Sequence, residues 1–221
     1  MVVTSRQRII AEALRLFGER GFAATTIAQI EEAAGLSPGS GALYRHFPSK
    51  DQLLYEAVGE TLADRDQWAP YYEPDFSVVA MLEDAAPDAD LIERLVLLCQ
   101  VGLGRLDHNR DVTRILMRDS SASAEVMEVF RRNEYLQVLS VISRGLAELA
   151  GPDHPGDDWD AAAVVVLSAV AHYWLIRDTF GGQHPAAIDE QRYLRSTAEM
   201  LAARLQWHRP PPNTSERKHD G

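Results

Sequence analysis

The segment Thr25 to Lys50, TTIAQIEEAAGLSPGSGALYRHFPSK, limits what this chain can fold into more than any other stretch. Ile27, Ile30 and Ala34 recur at helical spacing. Gly35 then supplies a residue that takes left-handed backbone without steric cost. Thr25 or Thr26 opens this helix, and Thr26 with Gln29 has the spacing of a capping box. Leu36 is placed to plug the turn. Leu43 and Phe47 give a second short helix its apolar side, and Pro48-Ser49 ends it. Ser49 with Gln52 is a further capping box, heading a helix expected from about 50 to 68. Two short helices about a glycine turn form a helix-turn-helix, whose second helix has the size to enter a DNA major groove.

The rest of the chain reads as helix. Ile10, Ala13, Leu14 and Phe17 share one face of a helix that Thr4 or Ser5 can cap and Gly21-Phe22 can end. Further helices are expected near 76–84, 89–107, 110–118, 123–150, 158–181 and 186–207. They are separated by Gly151-Pro152 through Gly156 and by Gly181-Gly182 through Pro185. No alternating run is bounded by hairpin turns, so no sheet is expected, and there is no internal repeat. The expected class is all-α: an N-terminal three-helix DNA-binding unit over 1–50, a helical effector and dimerisation unit over 51–208, and a disordered tail over 209–221. That tail holds three consecutive prolines and mostly polar residues.

Charge is unevenly distributed. The 221 residues carry a net charge of −11. Residues 1–50 hold six basic and four acidic side chains, a balance of +2, against −13 for the remaining 171. The acidic part repels phosphate, so only the N-terminal face is suited to approach a nucleic acid. The apolar run from Ala161 to Ile176 contains Ser168 and His172 and is shorter than the roughly 20 residues of a membrane span, so a buried helix is expected. No secretory leader is expected from the first seventeen residues. The single cysteine, Cys99, sits in an apolar helical stretch and reads as structural. The cytoplasm is the expected compartment.

Residues 5–54 resemble the N-terminal DNA-binding domain of TetR-type transcriptional regulators. The resemblance rests on Phe17, Gly21-Phe22, Thr25-Thr26, Ile30, Ala33-Ala34-Gly35-Leu36-Ser37, Leu43-Tyr44-Arg45-His46-Phe47-Pro48-Ser49-Lys50 and Leu53-Leu54. It implies that Tyr44, His46 and Lys50 grip phosphates, as Thr25 and Thr26 are also placed to do at a helix N-terminus. It implies base reading from the start of the recognition helix, through Ser37, Ser40, Gly41 and Ala42, with Arg45 the only long base-capable donor. Each residue has a structural alternative: Thr25 as a cap alone, Tyr44 as packing, His46 and Lys50 as solvated surface. The chain departs from the common pattern twice. Ser37 to Tyr44 is two residues longer, so Pro38-Gly39-Ser40-Gly41 either lengthens the turn or adds an irregular first turn to the helix. Ala28 and Gln29 stand where members often carry Arg or Lys.

The resemblance further implies a homodimer on a near-palindromic operator in double-stranded DNA, released by a small hydrophobic or aromatic effector, with repression the expected outcome. Val164, Leu167, Ala171, Trp174 and Leu175 with Leu194, Ala198, Leu201 and Leu205, on helices near 158–181 and 186–207, are the expected four-helix dimer seam. The alternative is that they complete a monomer core. Candidate pocket residues are Trp68, Tyr71, Tyr72, Phe76, Leu98, Met117, Phe130, His172 and Phe180. There is no HExxH, P-loop, dinucleotide loop or Cys/His pair at metal spacing, so no catalysis, cofactor or metal is expected. The rival reading is a helical ligand-binding or interaction protein whose DNA binding is weak or vestigial.

Overall fold

The computed structural model describes residues 3–118, 123–152, 154 and 157–206. Among these residues there are ten α-helices and no strand. Helix α1 spans Ser5–Arg20, capped by a reciprocal Thr4–Gln7 box and ended at Gly21. Helix α2 spans Ile27–Ala33 behind the Thr26–Gln29 box. Helix α3, Lys50–Ala63, starts at Ser49, whose hydroxyl accepts from the Gln52 N–H. Asp64 turns to extended backbone, so α3 stops short of the expected 68, and Asp66–Tyr72 forms a 3-10 segment around Pro70.

Helices α4 (Val78–Ala85), α5 (Leu91–His108) and α6 (Arg110–Arg118) follow. The single helix expected over 123–150 is divided. A π-helical segment, Arg131–Tyr135, separates α7 (Ala124–Phe130) from α8 (Leu136–Ala150). Helices α9 (Trp159–Thr179) and α10 (Glu190–Gln206) close the described chain. Helix α10 starts later than 186 because Ala187 takes φ +52° and Asp189 caps the helix, its Oδ1 accepting from the Arg192 N–H at 2.8 Å. The expected tail over 209–221 lies outside the described residues.

The apolar interior forms two clusters. The first joins Ile9, Phe17, Ile30, Leu43, Phe47, Leu53 and Leu54 with Val112, Ile115 and Val126. Helices α6 and α7 thus pack into the N-terminal unit. The second joins α4, α5 and α8 to α10 around Leu82, Leu95, Trp174, Leu194 and Ala198. Helix α8 comes so close to α4 that a Cβ on Gly145 would lie 2.5 Å from Val78 Cγ2. Cys99 is buried here, and burial pushes its thiol pKa up to about 11, which fits a structural role.

Helix α9 is, by length and composition, the one helix among the described residues that could cross a membrane. It contributes Trp159, Val166, Tyr173 and Trp174 to the core, while Ala161, Val164, Val165, Ser168 and His172 form an outward stripe. The sixteen-residue apolar run is therefore half core and half open face.

Candidate nucleic-acid interface and ligand cavity

The turn that carries the candidate DNA-reading residues is built from inside. Leu43 and Phe47 are fully buried in the first cluster and anchor its two ends. Gly39 and Gly41 take φ +71° and +70°, which right-handed helix cannot accommodate. The longer loop therefore extends the turn, leaving only a 3-10 turn, Ala42–Arg45, where an α-helix was expected from about Ser37. This corrects the placement of Ser37, Ser40 and Gly41, which precede the helical turn, while Ala42 opens it. Ser37 and Ser40 are exposed, and Ser40 Oγ accepts from the Ala42 N–H at 3.3 Å.

Gly41 offers no capping side chain, and Glu31 takes that role from α2. Its carboxylate is fully buried, with Oε1 accepting from the Leu43 N–H at 3.1 Å. Oε2 has no hydrogen-bond partner among the described residues. The sequence reading passed over Glu31, although Ile27, Ile30, Glu31 and Ala34 share one helical face, which already turns this acid inward.

Tyr44, Arg45 and His46 are all exposed on the outer side of this turn, Tyr44 at 55%. Arg45 makes no side-chain hydrogen bond among the described residues, so a cation and two ring side chains with polar tips lie side by side in solvent. Thr26 is exposed, with its Oγ1 capping α2.

Two expected phosphate contacts sit otherwise. Thr25 is buried, and its hydroxyl donates toward the Leu16 carbonyl (3.2 Å) and the Gly21 carbonyl (2.9 Å), closing the α1–α2 loop. Its side chain is therefore a structural clasp. Lys50 Nζ donates to the carbonyls of Phe22 (2.7 Å) and Thr25 (2.9 Å) and lies 4.2 Å from the Phe22 ring centre. An ammonium has three hydrogens, so at most one is left for a phosphate. On the far side, Arg6 ties α1 to α3 through Glu56 (2.7 Å) and Glu60. The hydrogen bond from Arg6 holds the Glu60 carboxyl below its usual range.

The second candidate site is a cavity of about 70 Å³ between the 3-10 segment 66–72, α4, α5 and α8. The structure brings Trp68, Tyr71, Tyr72, Phe76 and Leu98 together around it. It does not bring the other four candidates there. Met117 is partly exposed on α6, Phe130 packs against the first cluster, His172 faces outward from α9, and Phe180 is exposed just beyond it. Sequence reasoning missed Arg105, which lines the cavity and is 7% exposed. Its Nε and Nη2 donate to both oxygens of Glu134, at 2.8 and 2.7 Å. Tyr72 Oη lies 3.4 Å from the same carboxylate, and burial followed by that negative charge pushes its pKa up to about 12.

Known proteins are similar to this chain in the sequence of its N-terminal part and in fold. Residues 9–57 match the family described as bacterial regulatory proteins, tetR family. An uncharacterized HTH-type transcriptional regulator, YerO of Bacillus subtilis, is 50% identical over 52 residues, which are 24% of this chain and 17% of that protein. The HTH-type transcriptional repressor KstR2 of Mycolicibacterium smegmatis is 39% identical over 57 residues, 26% of this chain and 27% of that one. The matched segment thus spans less than a third of either relative. The whole fold is matched by the crystal structure of FadR from Bacillus subtilis in complex with stearoyl-CoA. The TM-score there is 0.60, covering 88% of this chain and 96% of that one, at 18% identity. Over residues 9–57 the chain is thus similar to the tetR family, and the relatives named here are HTH-type transcriptional regulators.

Proposed function

We propose that this protein is a cytoplasmic repressor that binds a near-palindromic operator as a homodimer and lets go when a small, mainly apolar effector enters the 66–72/α4/α5/α8 cavity. The observation that carries the reading is the exposed row Tyr44, Arg45, His46 on a turn pinned by buried Leu43, Phe47 and Glu31. Exposed donors on a rigid mount suit a duplex backbone and groove. Thr26, Ser37 and Ser40 stand exposed beside them. Lys50 contributes chiefly by holding the α1–α2 loop.

The residues expected to form the dimer seam divide between core and surface. Trp174, Leu194, Ala198, Leu201 and Leu205 are buried within the chain's own core. Val164 of the expected set lies open on α9, beside Val165 at 68% exposure, with Met200 of α10 at 67%. A second copy packed there by a two-fold axis would present two readers to one face of a duplex.

A continuous mechanical path supports coupling. Glu134, which grips Arg105 in the cavity wall, belongs to the π-helical segment that continues α7. Helix α7 packs on α3. Arg65, just beyond α3, bonds to Gln137 of α8. Helix α3 begins at Lys50, the residue that holds the reader's α1–α2 loop. An effector that moves Arg105 and Glu134 can therefore turn α3 and change the spacing of the two readers. The stearoyl-CoA held by the FadR of the same fold supports an apolar ligand for the helical unit.

The test is a mobility-shift assay on DNA flanking the protein's own gene, followed by a panel of apolar compounds. Retarded DNA released by at least one compound supports the proposal. Tight binding of compounds that never alters the shift sinks the effector half. The rival reading, a ligand-binding protein with weak DNA affinity, draws on the net charge of −11 and on Lys50's internal engagement. It predicts no preference among duplexes at any ionic strength.

A further inference from the structure

The cavity is apolar except for one corner, and two donors of that corner are left unmatched. Arg105 Nη1 is buried with no hydrogen-bond partner among the described residues, and so is Trp68 Nε1. Both residues line the cavity, and the Arg105 guanidinium carbon lies 5.6 Å from the Trp68 ring centre. Two N–H donors without a partner among the described residues therefore lie close together. A buried donor without a partner loses about 1–3 kcal/mol of hydrogen bonding. Glu134 receives Nε and Nη2 of Arg105, one on each oxygen, and its carboxylate does not reach Nη1. The local charge also leans one way. Glu134 balances Arg105, but Arg65 stands 4.2 Å from the centre of the cavity-lining Tyr72 ring and donates to the neutral Gln137. Among the described side chains, Arg65 thus adds a second cation beside the Arg105–Glu134 pair.

We propose that the cavity takes the carboxylate of a mainly apolar small acid, with Arg105 Nη1 and Trp68 Nε1 donating to its oxygens and the hydrocarbon lying against Tyr71, Phe76 and Met81. This deepens the reading of the cavity as the effector site and rests on it. The class follows from the donors: they offer hydrogens and accept none, so an alcohol or amine would leave its own proton unmatched or repel Arg105. At about 70 Å³ the cavity is smaller than the roughly 150 Å³ that takes benzene. A medium-chain acid must therefore push side chains aside. Unbranched Met81 is the wall residue best able to yield. That displacement acts next to the Arg105–Glu134 pair, at the head of the path to the reader.

The test is calorimetric titration of the full chain with sodium octanoate and 4-phenylbutyrate, each against the alcohol of the same carbon skeleton. The wild-type protein is expected to bind each acid roughly tenfold or more tightly than its alcohol. Trp68→Phe keeps the ring and removes the N–H, and Arg105→Lys keeps the charge facing Glu134 and removes Nη1. In both, the acid-to-alcohol ratio is expected to collapse toward one, with far-ultraviolet circular dichroism verifying the fold. Equal binding of acid and alcohol, binding of neither, or a preference untouched by both variants overturns the proposal. A mobility shift run in parallel separates the two claims. An acid that binds with the expected preference but leaves DNA bound supports the acid site and sinks the effector reading. DNA released by alcohols and not by acids does the reverse.

Discussion

Glu31 and Lys50 hold the turn and the α1–α2 loop through hydrogen bonds to backbone groups. Glu31 fixes the turn through one hydrogen bond to Leu43, so Glu31→Ala leaves a buried N–H unmatched and removes the capping carboxylate. The expected loss is about 1–3 kcal/mol of stability by chemical denaturation, with a matching drop in DNA affinity. Tyr44→Ala tests the other kind of residue. Tyr44 is 55% exposed, so its loss is expected to leave the melting temperature within about 2 °C, as for other surface changes. Its effect belongs on DNA binding. Lys50→Met is expected to lower both, since Lys50 Nζ holds two backbone carbonyls. Equal thermal behaviour of Tyr44→Ala and Lys50→Met would contradict this division. The identities of Tyr44, Arg45 and His46 were legible in the sequence, and the structure leaves them exposed together. The roles of Thr25 and Lys50 were not, because a polar side chain reads the same in sequence whether it meets solvent or a backbone carbonyl within reach.

The helices themselves were largely legible, because the capping box at Thr26, the cap at Ser49 and apolar faces at 3.6-residue spacing mark them directly. What escaped was local irregularity: the 3-10 turn 42–45, set by two left-handed glycines, and the π-helical segment 131–135, which no composition announces. Close approach of elements was equally hidden. Gly145 of α8 lies against Val78 of α4, and Gly145→Ala puts a methyl 2.5 Å from Val78 Cγ2. Overpacking by about 1–3 kcal/mol outweighs the roughly 1 kcal/mol of helix propensity gained. Thermal unfolding should therefore show a less stable variant; a more stable one would mean that α4 yields freely. Between α6 and α9, the buried Asp178 receives Arg110 at 2.8 Å and Arg114 at 2.9 Å. Burial pushes its carboxyl pKa up, but the hydrogen bonds from Arg114 and Arg110 prevail and hold it below the usual 3.8. A depressed pKa contributes stability above 3.8 that fades as pH falls through the lower folded value. Denaturant midpoints of wild type and Asp178→Asn are expected to differ at pH 6 and to converge as the solution is acidified below 3.8. A gap that is constant with pH would remove the ion cluster as its cause.

At the scale of the whole molecule, the acidic body and the reader of opposite charge leave one end of the chain able to face a duplex, and the exposed stripe of α9 and α10 can double that end. Val165→Glu with Met200→Glu places two charges on each copy of the seam, so sedimentation is expected to give a monomer where the wild type gives a dimer. The same variant should lose most of its DNA affinity, since each reader alone contacts few phosphates. A wild-type protein that sediments as a monomer at every concentration would refute the seam. Dimerisation was suggested by the sequence through its resemblance alone. Which apolar residues stay open, Val165 and Met200 rather than Trp174 and Leu201, depends on how α5 and α8 cover the rest, and no single helix encodes that. The central claim, that this turn reads DNA, is tested most directly by fluorescence anisotropy of the full chain with duplexes flanking its own gene and with scrambled controls, across a range of salt. The account predicts affinity that falls linearly on a log–log plot with salt, while one duplex stays preferred by roughly a thousandfold or more. Absence of binding to any duplex at the lowest ionic strength, or equal affinity for all of them, would contradict it.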